Sequence, residues 1–492
     1  MQSTQTDQTS APPDIRRNTA RGAVATLAGQ GVRFLVQLTG IIVLSRLLGP
    51  EAVGLFAVLA VIVGLGELLR DFGLSSAAIQ AERISRSQAS NLFWINAALG
   101  LALAVVCAAF APLIARFYGE PQLTAACVAI GSIFVLGGLG TQFRAQLSRD
   151  LRFTTIAVID VIAAITGLAA GVVAALEGLG LWALVAQQIG ISAVVTLLNI
   201  VATRWLPGLP SRGVGTRSLI TFGWNVGCTQ LVNFISKNVD TIVIGRFFGA
   251  EVLGIYNRAY QLLTVPLTQL STPATKVVFP VLARLREDRS RYNRYLLAGQ
   301  QALLHVVLLV FTFTIAVAPE MIEIALGAEW AGVAPIYQVL AISGLVQTAS
   351  YATYWVFLSE GLTGSSLRFA LVSRSSLVVS VLVGSNWGVM GVAVGYTAAT
   401  VVAWPLGLLW LKRVSPIAPV GEMWGKALQT FAVYVSAGVV AMLVGFVTLS
   451  VWATIGASLS CYVLVLALSY VAVPTFKRDL KQIYSFRAMV GV

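Results

Sequence analysis

Apolar runs broken by short polar loops recur along the chain from residue 22 to residue 473. Each run reaches the roughly 20 residues that a helix needs to cross a bilayer. None shows the two-residue alternation of a barrel strand, so helical spans are expected. They fall near 22–48, 51–80, 88–117, 122–147, 153–176 and 179–204, then 216–247, 251–280, 295–325, 333–358, 365–384 and 387–412, with a last pair near 423–447 and 449–473. The pattern predicts an all-α polytopic membrane protein of about fourteen transmembrane helices.

The first six spans and the next six echo one another. Val43-Leu-Ser-Arg46-Leu-Leu-Gly49-Pro-Glu51-Ala-Val-Gly54-Leu55 returns in register as Val243-Ile-Gly-Arg246-Phe-Phe-Gly249-Ala-Glu251-Val-Leu-Gly254-Ile255, and upstream Gln30 and Phe34 return as Gln230 and Phe234. Further on, Ala111-Pro112 answers Ala318-Pro319, Leu147-Ser148 answers Leu358-Ser359, and Gly180-Leu-Trp-Ala answers Gly388-Val-Met-Gly. Six is an even number, so the two copies enter the membrane in one orientation and their symmetry axis runs along the bilayer normal. The expected organisation is a polar, disordered tail at 1–21, six-helix lobes at 22–214 and 215–414, an extra helix pair at 415–475 and a second tail at 476–492. Two facing pseudo-symmetric lobes would enclose a central cavity. Gly167/Gly171 and Gly391/Gly395 have the GxxxG spacing of close helix packing.

Composition agrees with a membrane protein: 57% of the 492 residues are hydrophobic, 11% are charged, and the mean hydropathy is +0.83. The net charge of +13 does not point to nucleic acid, because most Lys and Arg lie in short loops between spans. One set of alternate loops carries Arg83 and Arg86, then Arg144, Arg149 and Arg152, Arg204 to Arg217, Arg284 to Arg294, Lys412 to Lys426, and Lys477 to Lys481. The other set is mainly acidic, from Glu51 to Glu329. The basic set should face the cytoplasm, which places both termini there. Cys107, Cys127, Cys228 and Cys461 sit inside apolar segments without metal-ligand spacing and read as small buried hydrophobes. No nucleotide loop, HExxH or GxSxG is present, so neither enzymatic chemistry nor a cofactor is expected. His305, the single histidine, lies in an apolar run and reads as a packing residue.

Candidate chemistry rests on ionisable residues within spans, where a charge costs roughly 2.5–3.5 kcal/mol at a helix centre unless water or a partner meets it. In the first helix Gln30, Arg33, Phe34 and Gln37 lie three and four residues apart; in its repeat Gln230, Asn233, Phe234, Lys237 and Asp240 do so. Both helices thus present a polar stripe, expected on opposite walls of the cavity. The span 251–280 is the least lipid-compatible, with Asn257, Arg258, Gln261 and Lys276 among its polar residues and Pro266, Pro273 and Pro280 seven residues apart, and it should line the cavity and kink. Counted from Gly249 at 1.5 Å per residue, Asp240 and Arg258 lie at matching depth, which predicts an ion pair between them. Glu67 and Arg70 are spaced for a local pair. Arg374 and Asp160 read as lone charges on the fifth helix of each repeat. The candidate cavity set is therefore Arg33, Gln37, Arg70, Asn233, Lys237, Asp240, Arg258, Lys276 and Arg374, with no metal ligands.

Several linked motifs carry a family likeness: Asp71-Phe-Gly-Leu-Ser-Ser-Ala-Ala-Ile-Gln80, Phe93-Trp-Ile-Asn96, Lys237-Asn-Val-Asp240 followed by Ile244-Gly-Arg246, Gly254-Ile-Tyr256, and Val278-Phe-Pro280. Together they resemble the Wzx-type polysaccharide and O-antigen flippases, close to the colanic acid exporter branch. The resemblance implies the fold of the multidrug/oligosaccharidyl-lipid/polysaccharide superfamily in a bacterial inner membrane. It also implies movement of undecaprenyl-pyrophosphate-linked oligosaccharide to the outer leaflet, with membrane lipids and a coupling ion, H+ or Na+, as the other partners. Cations such as Arg33, Lys237 and Arg258 suit a pyrophosphate. A drug/cation antiporter of the same fold is the competing reading, and it would favour an acidic cavity. A membrane glycosyltransferase or polymerase is disfavoured by the lack of a large extramembrane loop.

Overall fold

The computed structural model describes residues 13–71, 85–210, 231, 234–445, 447 and 450–489, with side chains for residues 28–70, 85–210, 231, 234–445, 447 and 450–481. Gln230, Asn233 and the first part of the expected N-terminal tail lie outside the described residues. Among the described residues there is no strand. Helices follow one another as α1 (Pro13–Leu47), α2 (Pro50–Asp71), α3 (Arg86–Tyr118), α4 (Gln122–Ile130), α5 (Ser132–Arg149), α6 (Phe153–Leu176) and α7 (Leu181–Thr203). After these come α8 (234–247), α9 (Gly249–Arg284), α10 (Arg289–Ala316), α11 (Ala318–Ala325), α12 (Val333–Ser359), α13 (Thr363–Gly384), α14 (Gly388–Val414), α15 (Val420–Val444), α16 (Val451–Ala472) and α17 (Pro474–Met489). Helix α1 begins at Pro13, inside the stretch read as tail.

Eleven helical stretches among the described residues are long and apolar enough to cross a membrane, and one of them, Thr363–Val414, holds both α13 and α14. The protein is a multi-pass, all-α membrane protein. Helix α9 is not among the eleven. Its 36 residues exceed the length of a span, but its polar side chains fit protein or water better than lipid. It continues as one helix through Pro266, Pro273 and Pro280.

The chain forms two compact units, one from residues 1–48 and 58–234, the other from residues 49–57 and 235–492. In the first unit α6 packs on α7, α1 on α6, and α5 on both α3 and α7. A Cβ on Gly167 or Gly171 of α6 would come within 2.9 Å of the Gln187 carbonyl oxygen or the Gln187 Cβ of α7, respectively. The spacing therefore serves close packing. In the second unit the corresponding pairs recur: α13 packs on α14, and α12 on both α10 and α14. Here Gly391 and Gly395 of α14 lie against the backbone of Gly384 and Ser380 of α13.

The second unit includes residues 49–57 because the two copies of the repeated signature cross at their glycines. A Cβ on Gly54 would run into the carbonyl of Ala250 and lie 2.9 Å from the Gly254 nitrogen; a Cβ on Gly254 would run into the carbonyl of Pro50 and lie 3.1 Å from the Gly54 nitrogen. Only glycine allows this backbone approach.

Helices α15 and α16 attach to α10 through buried polar contacts. Gln300 Nε2 donates to the Met423 carbonyl at 3.1 Å, Thr430 to Gln301 at 2.7 Å, His305 Nδ1 meets the Tyr434 hydroxyl at 3.0 Å, and Thr312 meets the Tyr462 hydroxyl at 2.8 Å. His305 is thus a packing residue, wedged against Tyr434 and Phe476. At the turn after α12, buried Glu360 accepts from Ser415 Oγ at 2.7 Å, and the neighbouring Ser359 meets the Tyr292 hydroxyl at 2.7 Å. Burial pushes the Glu360 carboxyl above its ordinary range, against the opposing pull of the Ser415 bond and the Arg286 charge.

Candidate functional site

In the second unit the polar stripe of α8 splits into a buried and an exposed part. Asp240 is 2% exposed. Its Oδ2 accepts from the Tyr256 hydroxyl at 2.8 Å and its Oδ1 from the Thr241 backbone N–H at 2.8 Å. Tyr256 stacks on Tyr260 of the same helix with centroids 6.3 Å apart, and Tyr260 meets Tyr396 of α14 edge-on at 5.8 Å. The carboxylate therefore ends a row of three tyrosines. One turn away on α8, Lys237 is exposed, and Arg374 of α13 is half-buried.

The expected Asp240–Arg258 ion pair does not form. Tyr256 and Arg258 are two residues apart, which turns them about 200° from each other round α9. The face that meets Asp240 therefore carries Arg258 away. Arg258, 4% exposed, donates from Nη1 to Gln261 Oε1 at 2.7 Å, Gln261 donates to Asn257 Oδ1 at 2.7 Å, and the guanidinium lies 5.8 Å from the Trp330 ring. Its Nε has no partner among the described residues. Depth along the helix was the right measure for distance from the turn, but it carries no information about azimuth. Lys276, lower on α9, is exposed.

The first unit contains a different cluster. Arg144 of α5 donates from both Nη atoms to Asp160 of α6, at 2.7 and 2.9 Å, and Arg33 Nη1 of α1 lies 3.8 Å from Asp160 Oδ2. Asp160 is therefore not a lone charge, and Arg144 belongs inside a helix and not among the loop cations. Gln37, one turn beyond Arg33, is exposed. Arg70 of α2 points its guanidinium at the Gly137 backbone of α5, where an added Cβ would collide with it.

Sequence reasoning missed Arg144, Tyr260 and Tyr396 as members of these clusters. Tyr256 lies in the Gly254-Ile-Tyr256 motif, but nothing in the spacing ties it to Asp240. Among the described residues no group of His, Cys, Asp and Glu could hold a metal ion. The arrangement offers one carboxylate bonded to neutral donors, two cations, Lys237 and Arg374, without an ion pair among the described residues, and one carboxylate gripped by arginine.

The family described as polysaccharide biosynthesis protein matches residues 43–335, more than half of the chain. The chain belongs to that family. The matched stretch holds both copies of the repeated signature together with Asp160, Lys237, Asp240 and Arg258. Among curated relatives, the lipopolysaccharide biosynthesis protein WzxC of Escherichia coli is 28% identical over 398 residues, covering 79% of this chain and 80% of that protein. The teichuronic acid biosynthesis protein TuaB of Bacillus subtilis is 28% identical over 65% of this chain and 71% of its own length. The succinoglycan biosynthesis transport protein ExoT of Rhizobium meliloti is 25% identical over 83% of this chain and 79% of its own. Among solved structures, the lipid II flippase MurJ in an inward closed conformation superimposes with a TM-score of 0.70 at 14% identity, covering 92% of this chain and 99% of that one. An inward-facing multidrug transporter of the MATE family follows at 0.59 and 22% identity, covering 80% and 98%. These two likenesses establish a shared fold.

Proposed function

We propose that this chain moves undecaprenyl-diphosphate-linked oligosaccharide from the cytoplasmic to the outer leaflet of a bacterial plasma membrane by alternating access, with both termini cytoplasmic and no enzymatic step of its own. The observation that carries this reading is the charge set within the spans. Lys237 is exposed on α8 and Arg374 half-buried on α13, neither forms an ion pair among the described residues, and Arg33 keeps an exposed side chain. Such cations attract a diphosphate and repel a cationic drug. That weighs against the antiporter alternative, which the fold alone leaves open. Relatives named for lipopolysaccharide, teichuronic acid and succinoglycan support a carrier of the same kind. Polymers so different in their sugars are best served by a carrier that reads the anionic lipid linkage.

Within this reading each unit offers its own candidate contacts: Arg33 for the diphosphate, with Gln37, Arg70 and Asn233 for other polar groups, in the first, and Lys237 and Arg374 for the diphosphate, with Lys276, in the second. Arg258 braces α9 from inside. Asp240, bonded to the neutral donors Tyr256 and Thr241, is assigned the coupling ion, H+ or Na+. The purified protein in vesicles should flip lipid-linked oligosaccharide with no nucleotide present. Lys237→Gln and Arg374→Gln should each slow it by about tenfold, as the loss of a charge-assisted contact would. An absolute nucleotide requirement, or parental rates in both variants, would refute the proposal.

A further inference from the structure

The Arg33–Asp160–Arg144 cluster has an asymmetry that a purely structural ion pair does not need. Arg144 satisfies both oxygens of Asp160 at 2.7 and 2.9 Å, the two-pronged geometry that fixes a carboxylate in place. Arg33 approaches the same carboxylate to 3.8 Å only, outside hydrogen-bonding distance. Its side chain is 60% exposed, against 39% for Arg144 and 19% for Asp160. The approach is set by the backbone. One turn before Arg33, a Cβ on Gly29 would lie 2.9 Å from the Cβ of Ala157, itself one turn before Asp160. Helices α1 and α6 are therefore close enough for a direct Arg33–Asp160 bond, and that bond is not made.

We infer that Asp160 is a built-in competitor for the substrate's diphosphate: Arg144 holds it still, and it screens the charge of Arg33 until an incoming anion takes that guanidinium over. The inference rests on the proposed function and adds to it a positioning pair, Asp160 with Arg144, that sets how tightly Arg33 grips and how readily it lets go. A transport site must release its ligand as well as bind it. A fixed carboxylate beside an exposed cation weakens binding without removing the cation. Because Asp160 already has its two bonds from Arg144, departure of Arg33 leaves no unpaired acid in the span.

The experiment measures binding of inorganic pyrophosphate to the purified full-length protein at low ionic strength, by isothermal titration calorimetry. Asp160→Asn should tighten binding about threefold, the scale of a partly exposed ion pair. Because that change also weakens the hold on Arg144, a second variant keeps the pair and reverses it. In Arg144→Asp combined with Asp160→Arg the carboxylate is moved away from Arg33 and a cation put in its place, and binding should again tighten. Adding Arg33→Gln to Asp160→Asn, which introduces no new cation, should abolish the gain. A merely structural role would lower thermal stability but would not raise affinity through Arg33. Unchanged or weakened binding in both variants, a gain that survives Arg33→Gln, or no binding by any of the proteins would overturn the assignment. Failure of the parental protein to flip lipid-linked oligosaccharide would instead overturn the proposed function, so the two failures are separable.

Discussion

Asp160 and Asp240 are both carboxylates inside apolar spans, one in each unit, and they are kept there by opposite means. Asp160 is gripped by Arg144 and approached by Arg33. Asp240 has neutral donors, Tyr256 and the Thr241 backbone, while the arginine expected beside it points away to Gln261 and Trp330. The first and fifth helices of each repeat show the same divergence: one pair carries opposite charges, Arg33 and Asp160 at 3.8 Å, whereas the other carries two cations, Lys237 and Arg374. A duplicated scaffold has thus kept its helix pairings and changed its charges. Packing is constrained on every face of a helix pair, whereas a charge needs only a local answer to its desolvation.

The largest effect should come from the feature that the copies share. Gly54→Leu and Gly254→Leu each force a side chain into a backbone carbonyl, which exceeds the roughly 1–3 kcal/mol of ordinary overpacking. Both should abolish monodisperse protein in size-exclusion chromatography. Normal yield from one and not the other would show that the two signatures are not equivalent.

A smaller and sharper effect separates the charge clusters. Arg144→Gln strands Asp160 and should lower stability by about 1–2 kcal/mol, below the figure for a fully buried pair because Arg144 is partly exposed. Arg258→Gln removes a buried cation that no carboxylate meets among the described residues. It should leave thermal stability equal or raised, while transport falls through altered bracing of α9. Equal losses of stability in the two variants would erase the distinction between the units.

The smallest effect belongs to Glu360, which stands where the first repeat has Arg149, since Leu358-Ser359 answers Leu147-Ser148. Its carboxyl is raised by burial, so folding favours its protonated form. The associated stability is present below the unfolded carboxyl value of about 4.3 and is lost as pH rises through the higher folded value. Thermal unfolding of the parental protein should show this decline on its acid limb, and Glu360→Gln should flatten it. An unchanged slope would place the pH dependence elsewhere.

What the chain disclosed in advance was whatever one helix can report about itself. The span positions, the register of the duplication, the polar character of α9 and the stripe holding Lys237 and Asp240 all follow from local period and composition. The partners were hidden. Arg144 stood near a loop by hydropathy, though its guanidinium turns inward to Asp160 sixteen residues on. Tyr396 reaches Tyr260 across more than a hundred residues. Matching depths suggested Asp240 and Arg258 as a pair, yet the two-residue step from Tyr256 to Arg258 decides the matter, and it shows only once Tyr256 is known to face α8.

The crossing at Gly54 and Gly254 is reciprocal: 54 meets 250 as 254 meets 50. Each patch binds its own duplicate, and this self-complementarity is the defining property of an isologous dimer interface. In this protein the same reciprocity closes within one chain. It carries a rule: a change at either glycine must be one that the opposing carbonyl can accept.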